Sequence, residues 1–100
     1  MDQSSLPGEV IGDATMIARD PSAPAAPVER GLVVMSIGHG SYVGLDEIGA
    51  DIWRRLEQPR AFGELVDGLA ADYDAPRAAI ATDVRAWLVR MAEGAIIRLT

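Results

Sequence analysis

The feature that most constrains this chain is a change of hydrophobic period at Leu45. "GLVVMSI", beginning at Gly31, is rich in β-branched residues and bounded by Gly31 and Gly38, as a buried strand requires. After the turn Gly38-His39-Gly40, "SYVGL" (Ser41, Tyr42, Val43, Gly44, Leu45) supplies its partner, so residues 31 to 45 read as a β-hairpin. Asp46 then caps a helix at once, with Ile48, Ile52, Trp53 and Leu56 on one face. A strand that enters a helix without a linker is held rigidly at that end. Nothing between Ser41 and Leu45, neither Lys nor Pro, blunts its edge against strand addition.

Pro59 stops that helix, and a second runs from about Arg60 to Asp72 with Phe62, Leu65, Val66 and Leu69 as its apolar face. Asp74 is placed to cap a third helix, residues 76 to 93, with Pro76 in its first turn. In that helix Ile80, Val84, Leu88 and Met91 form one arc toward the core, Trp87 borders it, and Gly94 is the expected stop. "AIIRLT" at the end is an apolar segment able to pack back as a last strand. Upstream, "ATMIA" (residues 14 to 18) reads as a first strand, whereas "RDPSAPAAP" carries three prolines that exclude a central strand or a helix and leave an irregular loop. Residues 1 to 13 read as a flexible terminus and 14 to 100 as one domain. The fold class expected is α+β, a three-stranded antiparallel sheet followed by three helices.

On the third helix, Ala79, Asp83, Ala86 and Arg90 lie roughly 90 to 150 degrees from the centre of the core arc, at about 100 degrees per residue. Two alanines leave room for a ligand's side chains, Asp83 and Arg90 supply polar selectivity at the rim, and Trp87 is the expected groove floor.

Several functions are disfavoured by what is missing. The formal charge is -6 and there is no lysine, so the surface repels phosphate backbones, and Arg77, Arg85 and Arg90 fall on three different sides of the third helix. A winged-helix DNA-binding protein shares this element order, but its third helix should present clustered basic residues. There is no cysteine and a single histidine, His39, which reads as a turn residue. No nucleophile, metal set or phosphate loop stands out, so the expectation is a binding protein with no cofactor and no catalysis. No secretory signal or membrane-length apolar run is present, which points to the cytoplasm. The open edge allows either a monomer or an edge-strand dimer.

Together these residues resemble the PqqD-like domains known as RiPP recognition elements. The pattern is Tyr42, Leu45, Gly49 and Ile52-Trp53; then Glu64-Leu65-Val66, Leu69 and Tyr73; then Asp83-Val84, Trp87-Leu88 and Met91; and finally Gly94 and Ile96-Ile97. The resemblance covers roughly residues 14 to 98 and implies a winged helix-turn-helix-like fold. It also implies binding of the leader peptide of a ribosomally made precursor, added as an antiparallel strand to the third strand and lying against the third helix. Ser41, Tyr42, Val43, Gly44, Leu45, Ala79, Asp83, Ala86, Trp87 and Arg90 are the peptide-binding residues so implied. A free-standing domain of this size is most similar to the leader-binding protein of lasso peptide biosynthesis. That implies a transglutaminase-like leader protease and a macrolactam cyclase as partners. The neighbouring expectation is a chaperone presenting a precursor to a radical SAM enzyme.

Overall fold

The structure, a computed structural model, describes residues 11 to 100. Among the described residues six strands and three helices follow in the order β1 (Met16–Arg19), β2 (Ala25–Val28), β3 (Gly31–Ser36), β4 (Ser41–Leu45), α1 (Glu47–Arg55), β5 (Arg60–Ala61), α2 (Phe62–Tyr73), α3 (Arg77–Glu93) and β6 (Ile97–Leu99). Strands β2, β3 and β4 form one three-stranded antiparallel sheet. The expected α+β class holds, and α2 and α3, joined by a short turn, form the helix-turn-helix beside it.

The first strand of that sheet is not the segment expected. "ATMIA" leads into β1, but β1 pairs with β5 on one side and β6 on the other, in a second small sheet. The tail "AIIRLT" therefore does return as a strand. The third place in the hairpin's sheet goes to β2, inside the proline-rich segment expected to be a loop. The reason lies in which way each proline faces. Met35 donates its main-chain N–H to Pro24 O at 2.9 Å, which fixes the hydrogen-bonding side of β3 toward β2 at residue 35 and, by alternation, at 33 and 31. Their partners Ala26 and Val28 face β3, so Pro27 faces solvent and its missing N–H costs no ladder bond. Proline on an edge strand is tolerated, and it closes that edge to further pairing.

The helices form where the apolar spacing placed them, with shifted ends. Asp46 caps α1, its carboxylate accepting from Gly49 N at 2.8 Å. Asp74 does not cap α3; it ends α2 in the left-handed region at φ 50°, which Asp tolerates better than most residues, and Pro76 occupies the N-cap of α3 without a side-chain bond. Gly94 does end α3, but with helical dihedrals, and the left-handed residue is Ala95 at φ 62°.

The core sits between the two sheets and the helices. Ile17, Val34, Leu56, Phe62, Leu65, Val66, Leu69, Leu88 and Ile96 are almost wholly buried. Two assignments shift. Ile48 is 55% exposed, and on α3 the core arc is Ala81, Val84, Leu88 and Met91, with Ile80 only half-buried. Arg19 fastens β1 to α1: its guanidinium donates to Trp53 O and lies 4.7 Å from the Trp53 ring centroid. At the other end Ile11 is buried and its carbonyl accepts from Arg85 Nε, while Asp13 O accepts from Gly63 N. Residues 11 to 13, expected in a flexible terminus, thus pack onto the domain; the rest of that terminus lies outside the described residues. Among the described residues no helix is long and apolar enough to cross a membrane.

Candidate functional site

The site begins with an open strand edge. Because residues 31, 33 and 35 of β3 bond toward β2, residues 32, 34 and 36 bond toward β4. Their partners in the register are Leu45, Val43 and Ser41. The main-chain groups of Tyr42 and Gly44 therefore face outward, and among the described residues β4 is the last strand of its sheet. This edge offers two N–H donors and two C=O acceptors. Tyr42 is 68% exposed, Leu45 points into the core, and Val43 is half-buried against it.

Where β4 ends, an apolar groove of about 340 Å³ opens between the three helices. The start of α1 contributes Ile48, Gly49 and Ile52, with Asp46 at its cap; α2 contributes Leu69 and Tyr73. One stripe of α3 (Ile80, Asp83, Val84, Trp87 and Arg90) forms the remaining wall. Gly49 makes this packing possible. A Cβ there would stand 3.2 Å from Trp87 Nε1 and 3.3 Å from Asp46 Oδ1 and from Leu45 Cβ, tighter than ordinary van der Waals contact. The glycine therefore lets the half-buried Trp87 indole approach α1 closely through its Nε1.

An ion network fixes the far wall. Tyr73 Oη donates to Asp51 Oδ2 at 2.7 Å, while Arg55 pairs with Asp51 at 3.1 Å and also with Asp72, tying α1 to α2. Burial pushes the Asp51 carboxyl up, but the hydrogen bonds from Arg55 and Tyr73 and the charges of Arg55 and Arg54 outweigh it and hold the carboxyl below its ordinary range. The hydrogen bond to Asp51 raises the Tyr73 phenol. Among the described residues no cluster of His, Cys, Asp or Glu is placed to hold a metal ion.

Of the residues expected on α3, Asp83, Trp87 and Arg90 come together in the groove. Ala79 and Ala86 do not line it; both are exposed on the neighbouring surface. Ser41 to Leu45 do form the edge strand, although only Tyr42 and Gly44 present main-chain groups outward. Sequence reasoning missed Ile48, Ile52, Ile80 and Val84 as groove residues by assigning all four to the core, and gave Tyr73 no role. Ile48 carried a signal in retrospect, since it lies in the first turn of α1, three residues beyond β4, where a helix has not yet passed under the sheet.

None of the curated proteins matches the chain. Two solved structures share its fold. The chain is 27% identical to TbiB1, seen in complex with the TbiA(beta) leader peptide, covering 81% of this chain and 94% of that one with a TM-score of 0.73. The PqqD portion of Methylobacterium extorquens PqqCD, a stand-alone RiPP recognition element, superposes with a TM-score of 0.75 at 14% identity, covering 91% of this chain and 97% of that one. The family model for coenzyme PQQ synthesis protein D matches residues 31–97, from the first residue of β3 to the start of β6. Hairpin, groove and all three helices thus fall inside the match, and the chain belongs to the PqqD family.

Proposed function

We propose that this protein binds the leader peptide of a ribosomally synthesised precursor and presents it to processing enzymes. The leader adds to β4 as an antiparallel strand, bonded to the outward main chain of Tyr42 and Gly44, and continues into the groove over Trp87. The observation that carries this reading is the asymmetry of the sheet: Pro27 closes the β2 edge, while the β4 edge is open and runs directly into an apolar groove. The similarity to TbiB1, which was seen with a leader peptide, supports the same use here. That similarity also favours a lasso peptide pathway, with a transglutaminase-like leader protease and a macrolactam cyclase as partners acting in the cytoplasm. On this reading the protein contributes binding alone and no catalysis. A second copy pairing through β4 would occupy the same edge, so self-association and leader binding exclude each other.

The family description favours a second pathway, presentation of a precursor to an enzyme of coenzyme PQQ synthesis. It uses the same surface and differs in the partner. DNA binding is disfavoured further by the arginines of α3: Arg77 is paired with Asp13 and Asp67, and Arg85 donates to Ile11 O and lies over Phe62.

The test is a fluorescence titration of the purified protein with the synthetic leader encoded beside its gene, alongside labelled duplex DNA at physiological salt. Binding of the leader at or below about the micromolar range, typical of specific recognition, without a DNA shift supports the reading. Salt-sensitive DNA binding without leader binding refutes it.

A further inference from the structure

The groove is apolar along its length but bracketed by two opposite charges that are unpaired among the described residues. Asp83 and Arg90 both line it. They are seven residues apart on α3, which places them roughly 10.5 Å apart along the helix axis and within about 20 degrees of one line. Neither forms a hydrogen bond or ion pair with the described residues. Most of the arginines are engaged: Arg19, Arg60 and Arg85 donate to main-chain carbonyls, and Arg55, Arg77 and Arg98 pair with carboxylates. Arg90 is left facing the groove, with Trp87 between it and Asp83.

The packing also fixes a direction. A Cβ on Gly94, at the end of α3, would stand 3.6 Å from Val43 Cγ2, whereas Leu45 and Gly49 lie against the Trp87 region. Strand β4 therefore runs antiparallel to α3. A peptide added antiparallel to β4 runs parallel to α3, its N-terminal part passing Asp83 and its C-terminal part passing Arg90.

We infer that the groove selects extended peptides in which a Lys or Arg precedes an Asp or Glu by four residues, with an apolar residue midway between them over Trp87. An extended chain rises about 3.3 to 3.4 Å per residue, so four residues span roughly 13 to 14 Å, which meets the helical separation of roughly 10.5 Å within side-chain reach. Even separations are required because alternate residues share a face. The inference rests on the leader-binding reading and adds to it the order of charges that the leader carries. The charges select among partners and fix register, while the edge strand supplies affinity.

The experiment is a selection of random 12-residue displayed peptides on the immobilised full chain, run in parallel on the double variant Asp83→Arg, Arg90→Glu. Both residues are exposed, so the double variant should melt as the wild type does. The expected result is enrichment of basic-before-acidic peptides by the wild type and of the inverted order by the variant. In titrations, an enriched peptide with its two charges exchanged should bind the wild type about tenfold more weakly, on a scale of up to about fivefold for each exposed pair. Enrichment without charge order, or the same order from both proteins, overturns the inference. If the wild type binds the leader encoded beside its gene but enriches no charge pattern, the inference fails and the leader-binding reading stands. If it binds neither, both fail.

Discussion

Replacing Gly44 by proline should weaken leader binding by about 5- to 150-fold while leaving the fold intact, whereas replacing Val43 by proline should destabilise the fold first. The Gly44 N–H faces the open side of β4, so its loss removes no bond within the protein, and a Cβ at this position meets nothing within 4 Å. Stability should change by no more than about 1 kcal/mol, since proline is tolerated on an edge with its nitrogen outward. A leader strand, however, loses one donor and keeps an unpaired carbonyl, at about 1–3 kcal/mol. That is about 5- to 150-fold in Kd, and the pyrrolidine ring blocks close approach as well. Val43→Pro instead deletes the N–H that bonds across to Val34, so it should cost about 1–3 kcal/mol of stability. At roughly 4 to 8 °C per kcal/mol for a domain of this size, Tm should fall by at least about 4 °C. Thermal unfolding and leader titration of both variants separate the two effects. If Gly44→Pro melts like the wild type and binds leader equally well, addition at β4 is refuted. If Val43→Pro is the harmless variant, the assignment of inward and outward groups is reversed.

Three further outcomes follow from the geometry. Ala95→Gly should raise stability by about 1 kcal/mol, read as an increase in Tm, because Ala95 holds a left-handed φ of 62° that glycine adopts without a steric cost. Leu88→Ala should lower the free energy of unfolding by about 2–5 kcal/mol in urea titration, since Leu88 is fully buried at the centre of the α3 arc. Asp51 should contribute stability above its ordinary value of 3.8 that is lost as pH falls through its depressed folded value, because a carboxyl held low in the folded state binds its proton more readily when unfolded. Asp51→Asn should therefore flatten the acid limb of stability against pH; an unchanged limb would assign the network no energetic role.

The hairpin and the helices were legible because their signals are local: β-branched runs bounded by glycines, then spacings of three and four. The place of the first strand was not. Three prolines argue against a strand only if their nitrogens face a neighbour, and sequence does not say which way Pro27 faces; pairing with β3 decides that. The groove was half legible for a related reason. Periodicity shows that Ile48, Ile80 and Trp87 are apolar, but not whether another element arrives to cover them. The start of α1 stands too close to β4 to be covered, and the apolar stripe of α3 divides into a buried arc and an open wall. Gly94 and Ala95 show the limit of residue rules at a helix end: the glycine marked the right place, yet its neighbour took the strained conformation.

In the proposed mode of binding, the two halves of the site divide the work of recognition in a way that explains why neither alone is diagnostic. Main-chain groups at Tyr42 and Gly44 bind any extended segment, because every peptide carries the complementary donors and acceptors. Such an edge gives affinity with little selectivity, and an open edge on a small protein invites pairing with the wrong chain. The groove supplies what the edge lacks. It lies where β4 ends, and in this proposed mode a peptide paired with β4 runs on across Trp87, between Asp83 and Arg90. Register would then be read by the helices and held by the strand, and the direct passage from Leu45 to Asp46 to α1 keeps the two surfaces at a fixed offset. A flexible linker at that point would leave both surfaces present and uncouple them, which is the physical reason for a strand that becomes a helix without an intervening loop.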